Sequence, residues 1–299
     1  MFRRILVPLD GSTLAETVLP AAFLWAETFN TVLVFFHVLE SGGTKSIHGE
    51  THLSAMDEAK AYLEKVSASR PNHKIKIEIH VHETKQADVP QSIISHAEEL
   101  KTDLVILCAH GGGGLRDMFI GSIAQQVIQR GTVPVYFLRP LPDYKSKPLQ
   151  LNKIILPLDG TDKHISTLPA AIEIGKASGA RLHLVTVIPT TKTLPANDAQ
   201  TGLLLPYTMT AMLDLAQRGA KDYLVEAVKG LTQHGIKATG EVRRGDIPTE
   251  IINASDDADL LIMSTHARVN WEAFWEESVT PRVMARAKVP MLIVRSPRA

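Results

Sequence analysis

A chain of 299 residues is long enough for two domains that each bury a core. Its 32 Lys and Arg balance 32 Asp and Glu to a formal charge of zero. There is no basic block, which argues against a nucleic-acid partner held by phosphate contacts.

In chain order, short apolar runs alternate with segments of helical length. A strand is predicted over 4–9, a helix over 15–29, a strand over 31–38 and a helix over 54–68. A more polar strand over 74–82, nearer a sheet edge, leads to a helix over 90–100, a strand over 104–108, a helix over 123–130 and a last strand over 133–138. The runs are continuous rather than alternating, as in parallel strands buried on both faces. The order β-α-β-α-β-α-β-α-β implies right-handed crossovers and a doubly wound α/β sheet of five strands with helices on both faces.

The remainder of the chain repeats this plan. Pro8-Leu9-Asp10-Gly11 recurs as Pro157-Leu158-Asp159-Gly160, and Leu19-Pro20 as Leu168-Pro169, 149 residues on. His110, Ser122 and Arg139 recur as His266, Ser278 and Arg295, now 156 residues on, so about seven residues are inserted midway through the second copy. A period this long marks a duplicated domain. The copies are expected at 1–140 and 151–299, joined by a semi-rigid linker carrying Pro140, Pro142 and Pro148. One cysteine excludes an internal disulfide, no apolar stretch nears the roughly 18–20 residues of a membrane span, and the short apolar run after Arg4 is no signal peptide. A soluble, cytoplasmic protein is expected.

Ligands of such sheets bind beyond the carboxyl ends of the strands. Two loops of the first copy lie there: Pro8-Leu9-Asp10-Gly11-Ser12, and the stretch from Cys108 to Ser122. The second holds Gly111 to Gly114 and then Gly121-Ser122 opening a helix. Glycines let backbone N–H groups approach an anion, and a helix start offers unpaired donors. A plain flexible turn reads equally well, and Ser122, three residues before Gln125, also has capping-box spacing. In the second copy Ala267 replaces Gly111 and Glu277 replaces Gly121, and a carboxylate at that place repels a polyphosphate.

These residues resemble the universal stress protein (UspA-like) family, whose nucleotide-binding members carry Gly-x2-Gly-x9-Gly-Ser/Thr after strand four. Gly111, nine residues, then Gly121-Ser122 matches the last elements; Cys108 stands at the first glycine. The resemblance implies a tandem pair of adenine nucleotide alpha hydrolase-like, Rossmann-like domains. It implies ATP, with or without Mg2+, in the first domain, with adenine near Asp10 and Val38 and ribose and phosphates on the backbone around Ala109, Gly111, Gly121 and Ser122. Pro8, Leu9, Cys108, His110 and Ile123 complete the implied set, and none is expected to be catalytic. No P-loop-like lysine or water-activating base is evident, so the implied role is an ATP-binding stress-response regulator rather than an enzyme. No nucleotide is expected at the second copy's motif, which would act as scaffold. Family members pair through strand five, implying contact between 133–138 and 289–294, a homodimer of tandem chains and a protein partner not identifiable from sequence. A small-molecule or lipid-like ligand of the second domain, or slow ATP hydrolysis, stands as the alternative.

Other features carry less. Arg116 offers a charge near the phosphates or is solvated, and Trp271, Phe274 and Trp275 suit one face of a helical turn. The insertion over 190–212, rich in Leu, Tyr and Met, reads as a long apolar loop that covers a pocket, lines one or meets another subunit. Arg244 to Pro248 reads as a turn opening a helix. His80 and His82, with His73 nearby, read as exposed histidines of a polar strand before a metal site, and Cys108 as a small apolar filler.

Overall fold

The computed structural model describes residues 2–40, 46–47, 50–51, 53–70, 72, 74–84, 88–109, 121–140, 149–160, 166–194, 196–265 and 279–295. The chain forms two compact units, one of Met1–Gln150 with Pro290–Arg295, the other of Leu151–Val289 with Ser296–Ala299.

In the first unit, β1 (Arg4–Pro8) runs parallel between its neighbours, with Ile5, Leu6 and Val7 wholly buried. Helix α1 (Thr13–Glu16) starts at Ser12, whose hydroxyl accepts the Ala15 N–H at 3.1 Å, and α2 (Leu19–Phe29) follows. The helix expected over 15–29 is thus two helices, because Pro20 has no N–H to offer the Glu16 carbonyl. Next come β2 (Val32–Glu40), a short hairpin of β3 (Ser46–Ile47) and β4 (Glu50–Thr51), α3 (Met56–Ala68) and β5 (Ile77–Thr84). Then α4 (Val89–Glu99), β6 (Leu104–Cys108), α5 (Ser122–Arg130) and β7 (Val135–Leu138) complete the first copy. β5 stands at the edge beside β2, as its polarity foretold, and the order inward is β5-β2-β1-β6-β7, all parallel. Trp25 anchors the α2 side of the core, edge-on to Phe2 at 4.9 Å and to Tyr136 of β7 at 5.5 Å.

The second unit repeats the pattern with β8 (Lys153–Pro157), α6 (Leu168–Ser178), β9 (Arg181–Ile188), α7 (Ala196–Leu204), α8 (Pro206–Gln233), β10 (Ala238–Arg244), α9 (Ile247–Ser255), β11 (Leu260–Thr265) and α10 (Val279–Met284). Its parallel order is β10-β9-β8-β11. The repeat reaches single hydrogen bonds: Asp103 accepts the Arg3 and Arg4 N–H groups at 2.7 and 3.1 Å, and Asp259 those of Asn152 and Lys153 at 2.8 and 2.9 Å.

The contact implied between 133–138 and 289–294 is present, and one expectation changes. The last strand, β12 (Met291–Arg295), packs within the first unit, antiparallel to β7 with Leu292 opposite Tyr136. Five strands of the first copy therefore carry a sixth, and four remain in the second unit. The insertion is not a loop: it forms α7 and the first turns of the 28-residue α8, whose Met209, Leu213, Ala220, Leu224 and Leu231 make a buried stripe at helical spacing. The linker over 141–148 lies outside the described residues.

Candidate functional site

The carboxyl ends of β1, β2 and β6 lie at one end of the first unit's sheet. Register puts Pro8 beside Phe36, and the Leu9 N–H bonds the Phe36 carbonyl at 2.8 Å. The Leu9 carbonyl accepts from His37 Nδ1 at 2.7 Å, fixing that ring as the Nδ1–H tautomer and pinning the backbone just before Asp10. His37 is buried at 1 % exposure, and sequence reading missed it. Its counterpart by register in the second copy is Thr186, whose hydroxyl has no hydrogen-bond partner among the described residues. This prop belongs to the first copy alone.

Past Leu9 the chain turns on itself. Asp10 Oδ1 accepts the Ser12 N–H at 2.9 Å and the Ser12 hydroxyl at 2.6 Å, holding the carboxylate half-buried above the start of α1. Gly11 between them sits at φ +90°, where an L side chain is strained, and a Cβ there would lie 2.9 Å from Leu53 Cδ1. Leu53 thus packs on the turn, a contact that no spacing in the sequence announces.

On the neighbouring strand, Ala109 is buried and its N–H bonds the Leu138 carbonyl at 2.8 Å. Cys108 Sγ accepts the Thr17 hydroxyl at 3.4 Å, so the thiol faces α1. Burial pushes this thiol up to about 11; the Thr17 bond opposes that rise and the nearby Asp10 charge adds to it. Cys108 is accordingly a neutral, half-buried side chain, and no thiolate forms near neutral pH. Val38 is also buried, in register with His82 of β5.

The helix after β6 begins with Gly121 as its N-cap, and no side chain caps it. Ser122 is therefore the first helical residue, so the capping-box reading does not hold: the bond that closes the first turn is Gln125 N–H to the Gly121 carbonyl at 3.0 Å. Ser122 is exposed and Ile123 is 44 % exposed, while Ala124, Val127 and Ile128 turn into the core. The first-turn N–H groups of a helix have no intrahelical acceptor, so this end presents donors and a positive dipole. Arg130 fixes the far end of α5 against Asp88 at 3.0 Å, and Asp88 itself caps α4 through the Gln91 N–H at 3.0 Å.

Of the residues expected to hold nucleotide, the structure thus places Pro8, Leu9, Asp10, Val38, Cys108, Ala109, Gly121, Ser122 and Ile123. His110, Gly111 and Arg116 lie outside the described residues, as do the second copy's His266, Ala267, Glu277, Ser278 and its aromatic group Trp271, Phe274 and Trp275. Just before them, the buried Ser264 carbonyl accepts the Thr280 hydroxyl at 2.8 Å, a bond that the alanine at position 124 cannot make in the first copy.

Two other readings shift. His80 and His82 are half-buried rather than exposed: His80 stacks on Phe36 at 5.8 Å, and His82 lies 4.3 Å from the ring of buried His96. Burial, then repulsion from His96, lowers the proton affinity of both below the usual imidazole range. Among the described residues no three His, Cys, Asp or Glu are grouped to hold a metal ion, and His73 lies outside them. Within the insertion Met209 is buried, whereas Leu203 at 83 %, Leu204 at 80 % and Tyr207 at 91 % exposure point outward. Arg244 to Pro248 is the helix-opening turn expected: Asp246 accepts the Thr249 N–H at 3.2 Å and caps α9. Among the described residues no helix is long and apolar enough to cross a membrane.

Comparison with known proteins agrees with the repeat. The model of the Universal stress protein family matches residues 1–139 and again 150–295. The universal stress protein MJ0531 of Methanocaldococcus jannaschii is 26% identical over 148 residues, 49% of this chain and 83% of that protein. YxiE of Bacillus subtilis is 26% identical over 151 residues, 46% of this chain and 100% of that protein. Among solved structures, a functionally unknown protein from Pseudomonas aeruginosa PAO1 has a TM-score of 0.68 at 16% identity, covering 99% of this chain and 93% of its own. A universal stress protein from Archaeoglobus fulgidus has a TM-score of 0.64 at 15% identity, covering 98% and 96%. With two matched copies spanning almost its whole length on a Rossmann-like α/β fold, the chain belongs to the universal stress protein family as a tandem, UspA-like member.

Proposed function

We propose that the first copy, 1–140, holds an adenine nucleotide, ATP with or without Mg2+, and that the protein is a cytoplasmic, non-catalytic stress-response regulator whose second copy, 151–299, serves as scaffold. The observation that carries this reading is the opening of α5: a glycine N-cap without a side-chain cap, followed by the exposed Ser122, leaves backbone donors and a hydroxyl for a polyphosphate. Asp10 at the end of β1, held by Ser12 and backed by the His37–Leu9 bond, supplies an acceptor suited to the amino edge of adenine. Cys108 fits beside this reading, since its thiol is turned toward Thr17 and carries no charge to repel phosphate. Bound ATP would contribute the polyanion; Gly121, Ser122 and Ile123 would hold it, and Ala109 and Val38 would lie along the ribose and base. In the second copy Glu277 replaces the N-cap glycine and sets a negative charge against the same ligand.

Titration of the purified chain with ATP by calorimetry tests this. One site per chain is expected, and Gly121→Glu, which copies Glu277 into the first motif, should abolish it. Two sites, or an unchanged affinity in G121E, would sink the assignment. Single-turnover phosphate release distinguishes a holder of ATP from a slow hydrolase.

A further inference from the structure

Helix α8 has two seams, and among the described residues only one is packed. Met209, Leu213, Ala220, Leu224 and Leu231 are buried against the second unit's sheet, and Asp214 is tied to Arg244 of β10 at 3.2 Å. On the opposite side a second row at alternating spacings of four and three is exposed: Ala211, Leu215, Arg218, Asp222, Val225 and Lys229. Leu215 is 70 % and Val225 63 % exposed, a placement of large aliphatic side chains that water disfavours. Neither Arg218 nor Asp222 has an ion-pair partner among the described residues.

We infer that this outer seam is the contact between two copies of the chain, with the α8 helices packed antiparallel about a twofold axis at residue 220. The order of residue types along the row selects that occupant. About such an axis Arg218 meets Asp222 of the partner subunit, Leu215 meets the partner's Val225, and Ala211 meets the alkyl stem of the partner's Lys229. Every layer is then apolar on apolar or opposite in charge, and each occurs twice. A parallel pairing would set Arg218 on its own copy and Asp222 on its own copy, and is excluded by repulsion. A Cβ at Gly219, beside the axis, would meet nothing within 4 Å among the described residues, and the bare glycine permits close approach. Leu203, Leu204 and Tyr207, exposed at the α7–α8 corner, extend the apolar surface beyond the seam. The inference is independent of nucleotide, because none of these residues belongs to the first copy.

Sedimentation velocity on the full chain tests it. A dimer is expected, and Leu215→Asp with Val225→Asp should give a monomer with unchanged circular dichroism, since both side chains are exposed in the single chain. Arg218→Asp alone should weaken the dimer about tenfold or more by placing like charges together twice, and adding Asp222→Arg should restore it. A monomer at high micromolar concentration, including one that captures a different protein on α8, would overturn the inference. So would a dimer indifferent to L215D/V225D, or a charge swap that fails to recover.

Discussion

Gly11 and Gly160 occupy the same turn in the two copies, at φ +90° and +78°, but among the described residues only Gly11 is covered. Among the described residues a Cβ at Gly160 meets nothing within 4 Å, whereas at Gly11 it meets Leu53. Gly160→Ala should therefore show the backbone cost alone, about 1 kcal/mol, and Gly11→Ala about 1–3 kcal/mol, since Leu53 must also move. Denaturant midpoints of the two variants check the order. Cys108 gives a second prediction at this scale. With its thiol held near 11, labelling by a thiol-specific alkylator should be slow at pH 8 and still be rising above pH 10, and Thr17→Ala should slow it further by removing a bond that favours the thiolate. Asp10, Gly121 and Ser122 were legible in the sequence because they lie in one loop each. His37, Thr17 and Leu53 were not. Their partners are brought to them by strand register and helix packing, with His37 28 residues from Leu9 and Thr17 91 residues from Cys108, and neither separation leaves a pattern.

At the scale of elements, periodicity told strands from helices wherever a segment was continuous. It located β6 to the residue and put β5 at the edge. It failed where apolar residues faced outward, because α7 and the start of α8 carry Leu and Tyr on exposed positions that resemble a loop seeking cover. The α9 turn was legible because capping is local: Asp246→Ala should cost about 1 kcal/mol through the lost cap. The histidines on β5 yield a pH prediction. Because burial and His96 lower the folded proton affinity of His80 and His82, the folded state prefers them neutral. Unfolded imidazole titrates near ~6.5, so protons bind the unfolded chain first and the stability that the neutral pair supports is present above that pH and falls below it. Thermal midpoints should drop from pH 7 to pH 5, and His80→Gln with His82→Gln should flatten the drop. An equal slope in the variant would assign the acid sensitivity to groups other than His80 and His82.

For the molecule as a whole, duplication at 149 residues and then 156 announced two domains, but sequence order cannot say with which core a strand is packed. β12 is the last strand of the second copy in sequence and yet lies in the first unit, pairing Met291, Leu292 and Ile293 with Phe137, Tyr136 and Val135. Arg295 adds a hydrogen bond to the Gly131 carbonyl at the end of α5. The physical reason is edge protection: without β12, β7 would present an open row of backbone donors and acceptors next to the Trp25–Tyr136 core. Ile293, 2 % exposed, should therefore stabilise a unit built mostly from the first copy. Ile293→Ala is expected to cost about 2–5 kcal/mol and to speed hydrogen exchange at Val135–Leu138. Ile262→Ala, equally buried but within β11 of the second unit, should leave those amides protected. If instead both substitutions deprotect β7 alike, the two units unfold as one and β12 has no special tie to the first.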